Sequence, residues 1–521
     1  MAAWKEAYTL LALAPLSGER TAPSKPRTIR VDPEEPDRAV EHLAPSLAIP
    51  VSEHLCRDGA LAFRASGMRS FTPQGVLDAC PYLARLSEAS SFVDEENRRG
   101  TPDDRIAPVV RERWPDLPPD LLTVARAPAR EKPAEGGVVD DILGMVAVPE
   151  ATGGGTLKAR MDGLMARLLG VVFGHEAFRT LEASWRGVEA LLRQGRLRPE
   201  GGVFLDLVPV TADSLNETLE ALKAPLASSP PNLVLVDLPF ESSPPHLARL
   251  EQAATLGSDL LVPTAAWAHA RFFHIPSWSR LQTLPYLEHH LEDAAYAKWR
   301  RLASHPGAPW TVLLVNRFLG RPAYGENNPP RTAFFKEEGD LWIAPVWAFG
   351  ALAVQSVHRW GWPTRMTDAT QCRLEDLAVD PAREGGPAST EVLLSEDRAA
   401  EFVRSGFTPL AGARGRDTAF IPRESSVSGG PVAPQAFLNR LLGDLFRLRE
   451  SLSDAGEPPS EAALGEFLSS RFRETGHEPP EDLSVRVKSG ASDKPPRVRI
   501  SLTPPASLLR SPRPVALDWT W

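Results

Sequence analysis

Cysteine is nearly absent: Cys56, Cys80 and Cys372 are the three in 521 residues. They are too few and too widely spaced for a disulfide framework or a CxxC metal site, and a reducing cytoplasm fits best. No segment approaches eighteen uninterrupted apolar residues, so no membrane insertion is expected. The opening MAAWKEAYTLLALAPLSGER has one lysine and a broken apolar run, weaker than a charged leader with a signal core. A basic excess is missing as well. With 58 Lys and Arg against 67 Asp and Glu, the net charge is −9, so nucleic acid is not an expected partner.

Catalytic signatures are also lacking. There is no GxxxxGK[ST] phosphate cradle, and Gly153 to Gly155 reads as a flexible hinge. His269 and His274 have no carboxylate in metal-protease order, and His289 and His290, flanked by Glu288 and Glu292, lack HExxH spacing. No GxSxG elbow occurs, and none of the cysteines carries a local catalytic signature. No catalytic residue, metal or cofactor is therefore expected. Asp206 and Asp237 follow apolar strand-like runs, where α/β enzymes put catalytic acids. Without a paired base or glycine loop they support only a remote alternative, an enzyme with a small-ligand cleft.

What is present is a chain of 42% hydrophobic content, long enough for roughly three domains. Its 51 prolines and 37 glycines sit largely in connecting stretches. Strand-like runs at 7–14, 28–32, 201–210, 231–240, 258–266 and 310–318 alternate with helical patterns, including 341–361. That alternation predicts a mixed α/β fold with a parallel sheet. A short helix is expected from residue 37 to about 51 and a strand, helix and turn from 390. Helices at 434–452 and 460–475 precede extended segments at 483–490 and 496–504. The proline-rich, charged stretch 101–137 marks a boundary.

Two helices stand out. In HEAFRTLEASWRGVEALLRQ, residues 175–194, Phe178, Leu181, Trp185, Val188 and Leu192 form one apolar stripe. Glu182 with Arg186, and Glu189 with Arg193, have the spacing of helical ion pairs on a solvated face. Gly187 beside a large Trp suggests close approach by another backbone, since a mid-helix glycine costs about 1 kcal/mol relative to alanine. In VVDDILGMV, residues 138–146, Val139, Ile142, Leu143 and Val146 line one short amphipathic face that wants a partner.

The 175–194 stretch resembles the Leu-Glu-x-x-Trp-Arg-Gly segment of the large subunit of the type VI secretion contractile sheath, matched by Leu181, Glu182, Trp185, Arg186 and Gly187. YLEHHLEDAAYAKWRRL at 286–302 is similar to the family's Tyr-x-x-Trp region, with Trp299. NRFLGRPAYGENN at 316–328 resembles its Pro-Arg-x-Leu-x-Arg-x-Pro-Tyr-Gly segment through Arg317, Arg321, Tyr324 and Gly325, with Asn316 where proline is usual. LSEDRAAEFVRSGFTPLAG at 394–412 is similar to its Gly-Phe-x-Pro-Leu region through Gly406, Phe407, Pro409 and Leu410. More weakly, YTLLALAPLSG, DRAVEHLAPSLAIPV and MRSFTPQGVLDACPYLARL resemble the small sheath subunit.

The resemblance implies a fusion: a small-subunit-like α/β unit at 1–100, a linker at 101–137, and a larger multi-layer α/β core in two large-subunit-like parts, 138–380 and 381–521. It implies a cytoplasmic helical homo-oligomer that contracts around an inner-tube protein on a baseplate. The matched residues become packing or interface positions. Val139, Ile142, Leu143 and Val146 occupy the place of a helix bound by an AAA+ unfoldase. Segments 484–488 and 497–502 become candidates for strand addition to a neighbour. A non-contracting scaffold or baseplate-like component is the alternative.

Overall fold

The computed structural model describes residues 8–18, 26–122, 156–380, 386–454, 458–488 and 495–521. The expected helix carrying Val139, Ile142, Leu143 and Val146 and the glycine hinge lie outside the described residues. The chain divides into two compact units, one of Met1–Leu43, Thr180–Pro322 and Gly339–Trp521, the other of Ala44–Arg179 and Ala323–Glu338. These divisions differ from the sequence-based boundaries at 100 and 137. The opening strand, Tyr8–Ala14, belongs with the later sequence because it finds its partners there.

The first unit is built on a seven-stranded sheet. Its strands are β1 (Tyr8–Ala14), β2 (Ile29–Arg30), β3 (Val203–Pro209), β4 (Leu233–Phe240), β5 (Thr264–Ala268), β6 (Thr311–Val315) and β7 (Thr408–Pro409). They are ordered β7-β6-β5-β4-β1-β3-β2. Every neighbouring pair is parallel except β2 with β3. Runs such as LVLV in β4 are continuous rather than alternating because helices cover both faces of a parallel sheet. β1 lies inside the sheet, with Leu10 opposite both Leu205 and Leu233.

Four helices are α1 (Glu176–Gln194), which belongs to this unit from Thr180 on, α2 (Leu215–Ser228), α3 (Pro244–Leu260) and α4 (Pro345–Trp360). The expected strand at 258–266 is corrected at its start: Ser258 to Leu260 finish α3. Leu261 then takes a left-handed φ of 54° while Val262 N–H returns to the Gly257 carbonyl at 2.8 Å, a helix-ending turn that an apolar run does not announce. The helix expected from 341 begins at Pro345, where proline suits a first helical position. Leu341–Ile343 is instead a strand antiparallel to Phe318–Arg321. Likewise the helix from residue 37 stops at Leu43, and Ser46–Pro50 is extended. The strand expected at 390 is reduced to a single bridge between Thr390 and Phe318.

Helices α5 (Ala433–Asp454) and α6 (Glu461–Glu474) pack with a three-stranded antiparallel sheet of β8 (Ser484–Lys488), β9 (Arg497–Leu502) and β10 (Val515–Thr520). Here Trp362 stacks with Phe437, at 4.8 Å, and with Phe472, at 5.4 Å between ring centroids, and the two phenylalanines also stack with each other at 6.4 Å. Buried Val498, Ile500 and Leu502 complete this core. Asn439 of α5 accepts from Asn232 at 3.0 Å, and Asn232 accepts from Thr9 N–H at 2.9 Å, so the α5 helix is tied to the start of β1.

The second unit pairs Ser46–Pro50 antiparallel with Ala60–Arg64. It adds helices Pro73–Ala79, Pro81–Arg98, Asp103–Arg113 and Leu157–Gly174, so part of the expected linker is helical. Thr72 caps the first of these by accepting Gly75 N–H at 3.1 Å, a use of threonine that satisfies an otherwise orphaned donor. Phe63, Phe71, Phe173 and Phe178 form its aromatic centre.

Candidate functional site

The stripe of α1 is buried along its length: Phe178, Leu181, Trp185, Val188 and Leu192 are each at most 8% exposed. The charged residues between them are not where the helical spacing suggested. Glu182 is 0% exposed, so the expected solvated pair with Arg186 is corrected to a buried one. Arg186 Nε donates to Glu182 at 2.8 Å. Arg321, at the end of the Phe318–Arg321 strand, donates to both carboxylate oxygens at 2.7 and 2.8 Å. Burial pushes the Glu182 carboxyl up, but Arg321 and then Arg186 outweigh it and hold it below the usual range. A buried carboxylate costs several kcal/mol in lost hydration, which two guanidiniums in good geometry offset.

Gly187 also has a different neighbour from the one expected. A Cβ built there collides with the Trp347 ring of α4, so a side chain, not a backbone, makes the close approach. Trp185 Nε1 donates to the Leu16 carbonyl at 3.1 Å, just beyond β1. Trp347 Nε1 and Ser184 Oγ both donate to Asp237 Oδ2, at 2.8 and 2.7 Å. Burial raises the Asp237 pKa, and these hydrogen bonds counter only part of that rise.

Asp206 lies elsewhere. It accepts a bidentate pair from Arg30 at 2.8 and 2.9 Å, and β1 separates its strand from that of Asp237. The two acids share no hydrogen-bond partner among the described residues.

A second cluster gathers Trp299 and Phe407, stacked at 4.9 Å and 18°, with Phe272 edge-on to both at 5.2 and 5.4 Å. Gly406 has φ +87°, and a Cβ there would lie 2.9 Å from the Val427 carbonyl oxygen, so glycine is required on two counts. Pro409 pairs with Val315, and Leu410 N–H donates to the Val315 carbonyl at 3.0 Å. Asn316 ties these pieces together. At φ 73° its amide donates to the carbonyls of Leu410 and Val392 at 2.8 and 2.9 Å and accepts Val392 N–H at 3.1 Å. Arg317 binds Glu391 through both arms at 2.8 and 2.9 Å. The departure from proline at 316 was visible in the sequence, but neither its left-handed backbone nor the role of Glu391 was.

Tyr324 and Gly325 belong to the second unit. The Tyr324 ring meets Phe173 at 5.2 Å and Phe335 at 5.5 Å. Its N–H donates to Glu337 at 3.1 Å, and Glu337, 4% exposed, also pairs with Arg179. Gly325 N–H donates to the Asn328 carbonyl at 3.2 Å. The motif residues are thus joints between segments far apart in sequence. Among the described residues no helix is long and apolar enough to cross a membrane.

Residues 226–428 match the family model described as VipB: EvpB/VC_A0108, tail sheath N-terminal domain. The chain is 24% identical over 303 residues to the type VI secretion system sheath protein TssC1 of Pseudomonas aeruginosa, a match covering 52% of the chain and 60% of that relative. The chain therefore spans about 60% of this relative's length. Among solved structures it is similar to the sheath tail protein Lin1278 of Listeria innocua, at TM-score 0.34 and 11% identity over 61% of each chain. It is also similar to the sheath complex of an extracellular contractile injection system in its contracted state, at TM-score 0.31 and 12% identity over 65% of this chain and 76% of that one.

Proposed function

We propose that this chain is a structural subunit of a type VI secretion contractile tail sheath, with small- and large-subunit-like parts fused in one polypeptide. The match of residues 226–428 to the tail sheath domain carries the sheath reading. The fusion reading draws support from β1: the strand from the small-subunit-like opening runs parallel between β3 and β4 of the large-subunit-like sequence. A covalent link enforces one small part per large part.

On this reading copies assemble helically in the cytoplasm around an inner-tube protein, start from a baseplate, and contract to drive the tube outward. Contacts between copies use strand addition at the terminal sheet. Of the two segments expected there, 497–502 is β9, paired on both sides, which leaves 484–488, the edge strand β8, and the opposite edge β10. An AAA+ unfoldase binds the face of Val139, Ile142, Leu143 and Val146. If Ile142→Asp leaves unfoldase binding unchanged, that partner is lost from the scheme.

Ultracentrifugal pelleting of the purified chain, with and without the candidate inner-tube protein, tests assembly. The proposal expects most of the chain in the pellet. A chain that stays in the supernatant under both conditions favours a non-contracting scaffold instead.

A further inference from the structure

A cavity of about 630 Å³ opens in the first unit between the 364–368 loop, the 423–434 segment and the 506–511 segment. That volume suits a small ligand. The lining is rich in guanidinium and hydroxyl groups, so the question is which of them are already occupied. Arg365 is paired with Asp368 at 2.8 Å, and Arg404 with Glu288 at 2.8 Å. Arg423 has no hydrogen-bond or ion-pair partner among the described residues. Arg510 also lines the cavity, and its charge acts on Glu424.

The four guanidiniums of the lining, from Arg365, Arg404, Arg423 and Arg510, outnumber its two carboxylates, Asp368 and Glu424. Burial is the largest influence on the Glu424 carboxyl and raises its pKa, while hydrogen bonds from Ala433 N–H and the Thr367 hydroxyl and the charge of Arg510 counter only part of the rise.

We propose that this cavity binds a compact anion of the phosphate class, with Arg423 and Arg510 supplying the charge. Guanidinium forks match the several oxygens of a phosphoryl group bidentately, which a lone ammonium does not. Gly429 and Gly430 line the opening without side chains, leaving room for the ligand's oxygens. The site is independent of the sheath reading, because binding is measured on the unassembled chain.

Isothermal titration calorimetry of the full chain with inorganic pyrophosphate at fixed ionic strength tests the proposal. One saturable site per chain is expected, weakened at least tenfold in Arg423→Gln/Arg510→Gln. Arg423 is exposed and unpartnered, so Arg423→Gln alone provides a folded variant in which weakening must still be seen. Three outcomes overturn the proposal: no saturable heat, an affinity unchanged in the arginine variants, or displacement by sulfate at the same concentration as by pyrophosphate, which is general anion attraction.

Discussion

Arg321 reaches across 139 positions of sequence to grip Glu182 with both arms, at 2.7 and 2.8 Å, inside the protein. The strand that ends at Arg321 is thereby pinned to the middle of α1. Replacing Arg321 by Ala leaves the buried carboxylate with Arg186 alone and should cost about 3–5 kcal/mol in urea unfolding. A loss under about 1 kcal/mol would mean that the pair is solvated.

Trp185→Ala should open a cavity costing about 3–5 kcal/mol, because the ring is 0% exposed and also holds the Leu16 carbonyl. Denaturant midpoints at constant slope give the value. A change well below 1 kcal/mol would contradict the burial.

Gly187→Ala sets two effects against each other. Alanine gains about 1 kcal/mol of helix propensity, but its methyl collides with the Trp347 ring, and overpacking costs about 1–3 kcal/mol. Because Trp347 is also held by its hydrogen bond to Asp237, the ring cannot swing away freely, and net destabilisation is expected. A thermal melt showing stabilisation would show that it can.

Asn316→Pro should be severely destabilising, since proline cannot adopt φ 73° and three hydrogen bonds to the 392 and 410 backbone are lost. At about 0.5–1.5 kcal/mol per hydrogen bond, the loss is on the order of 3 kcal/mol before strain. Asn316→Gly keeps the backbone and should lose less. Equal melting temperatures for the two variants would dismiss the backbone argument.

Two buried acids give opposite pH slopes. Glu182 has a folded pKa below its unfolded value of about 4.3, so its contribution is present above that pH and is lost as pH falls through the folded value. Asp237 is raised. The folded state then holds the extra proton, and stability declines as pH rises from about 3.9 toward the folded pKa. Asp237→Asn removes that decline, so its stability relative to wild type should increase with pH over this interval. Parallel curves would show that Asp237 does not titrate abnormally.

Periodicity alone reveals the α1 stripe, β4 and the two C-terminal helices, because burial on one or both faces writes itself into local spacing. It fails where the deciding partner is remote. A glutamate four residues before an arginine reads the same on a surface as in a core, and only Arg321 tells the two apart. In the same way the LLALA run of β1 announces a strand but not that its neighbours lie near 205 and 233. Leu261 ends a helix through its backbone angle, which no side-chain pattern encodes. Ordered motifs located the clusters around Glu182 and Phe407, while Asn316, Glu391 and Trp347 became visible only through their contacts.

The central claim, a fused sheath subunit, is tested most directly by negative-stain electron microscopy of the purified chain with its candidate inner-tube protein. Long tubes with a regular cogwheel wall built from this single chain are predicted. Persistent monomers or small discrete rings would contradict it.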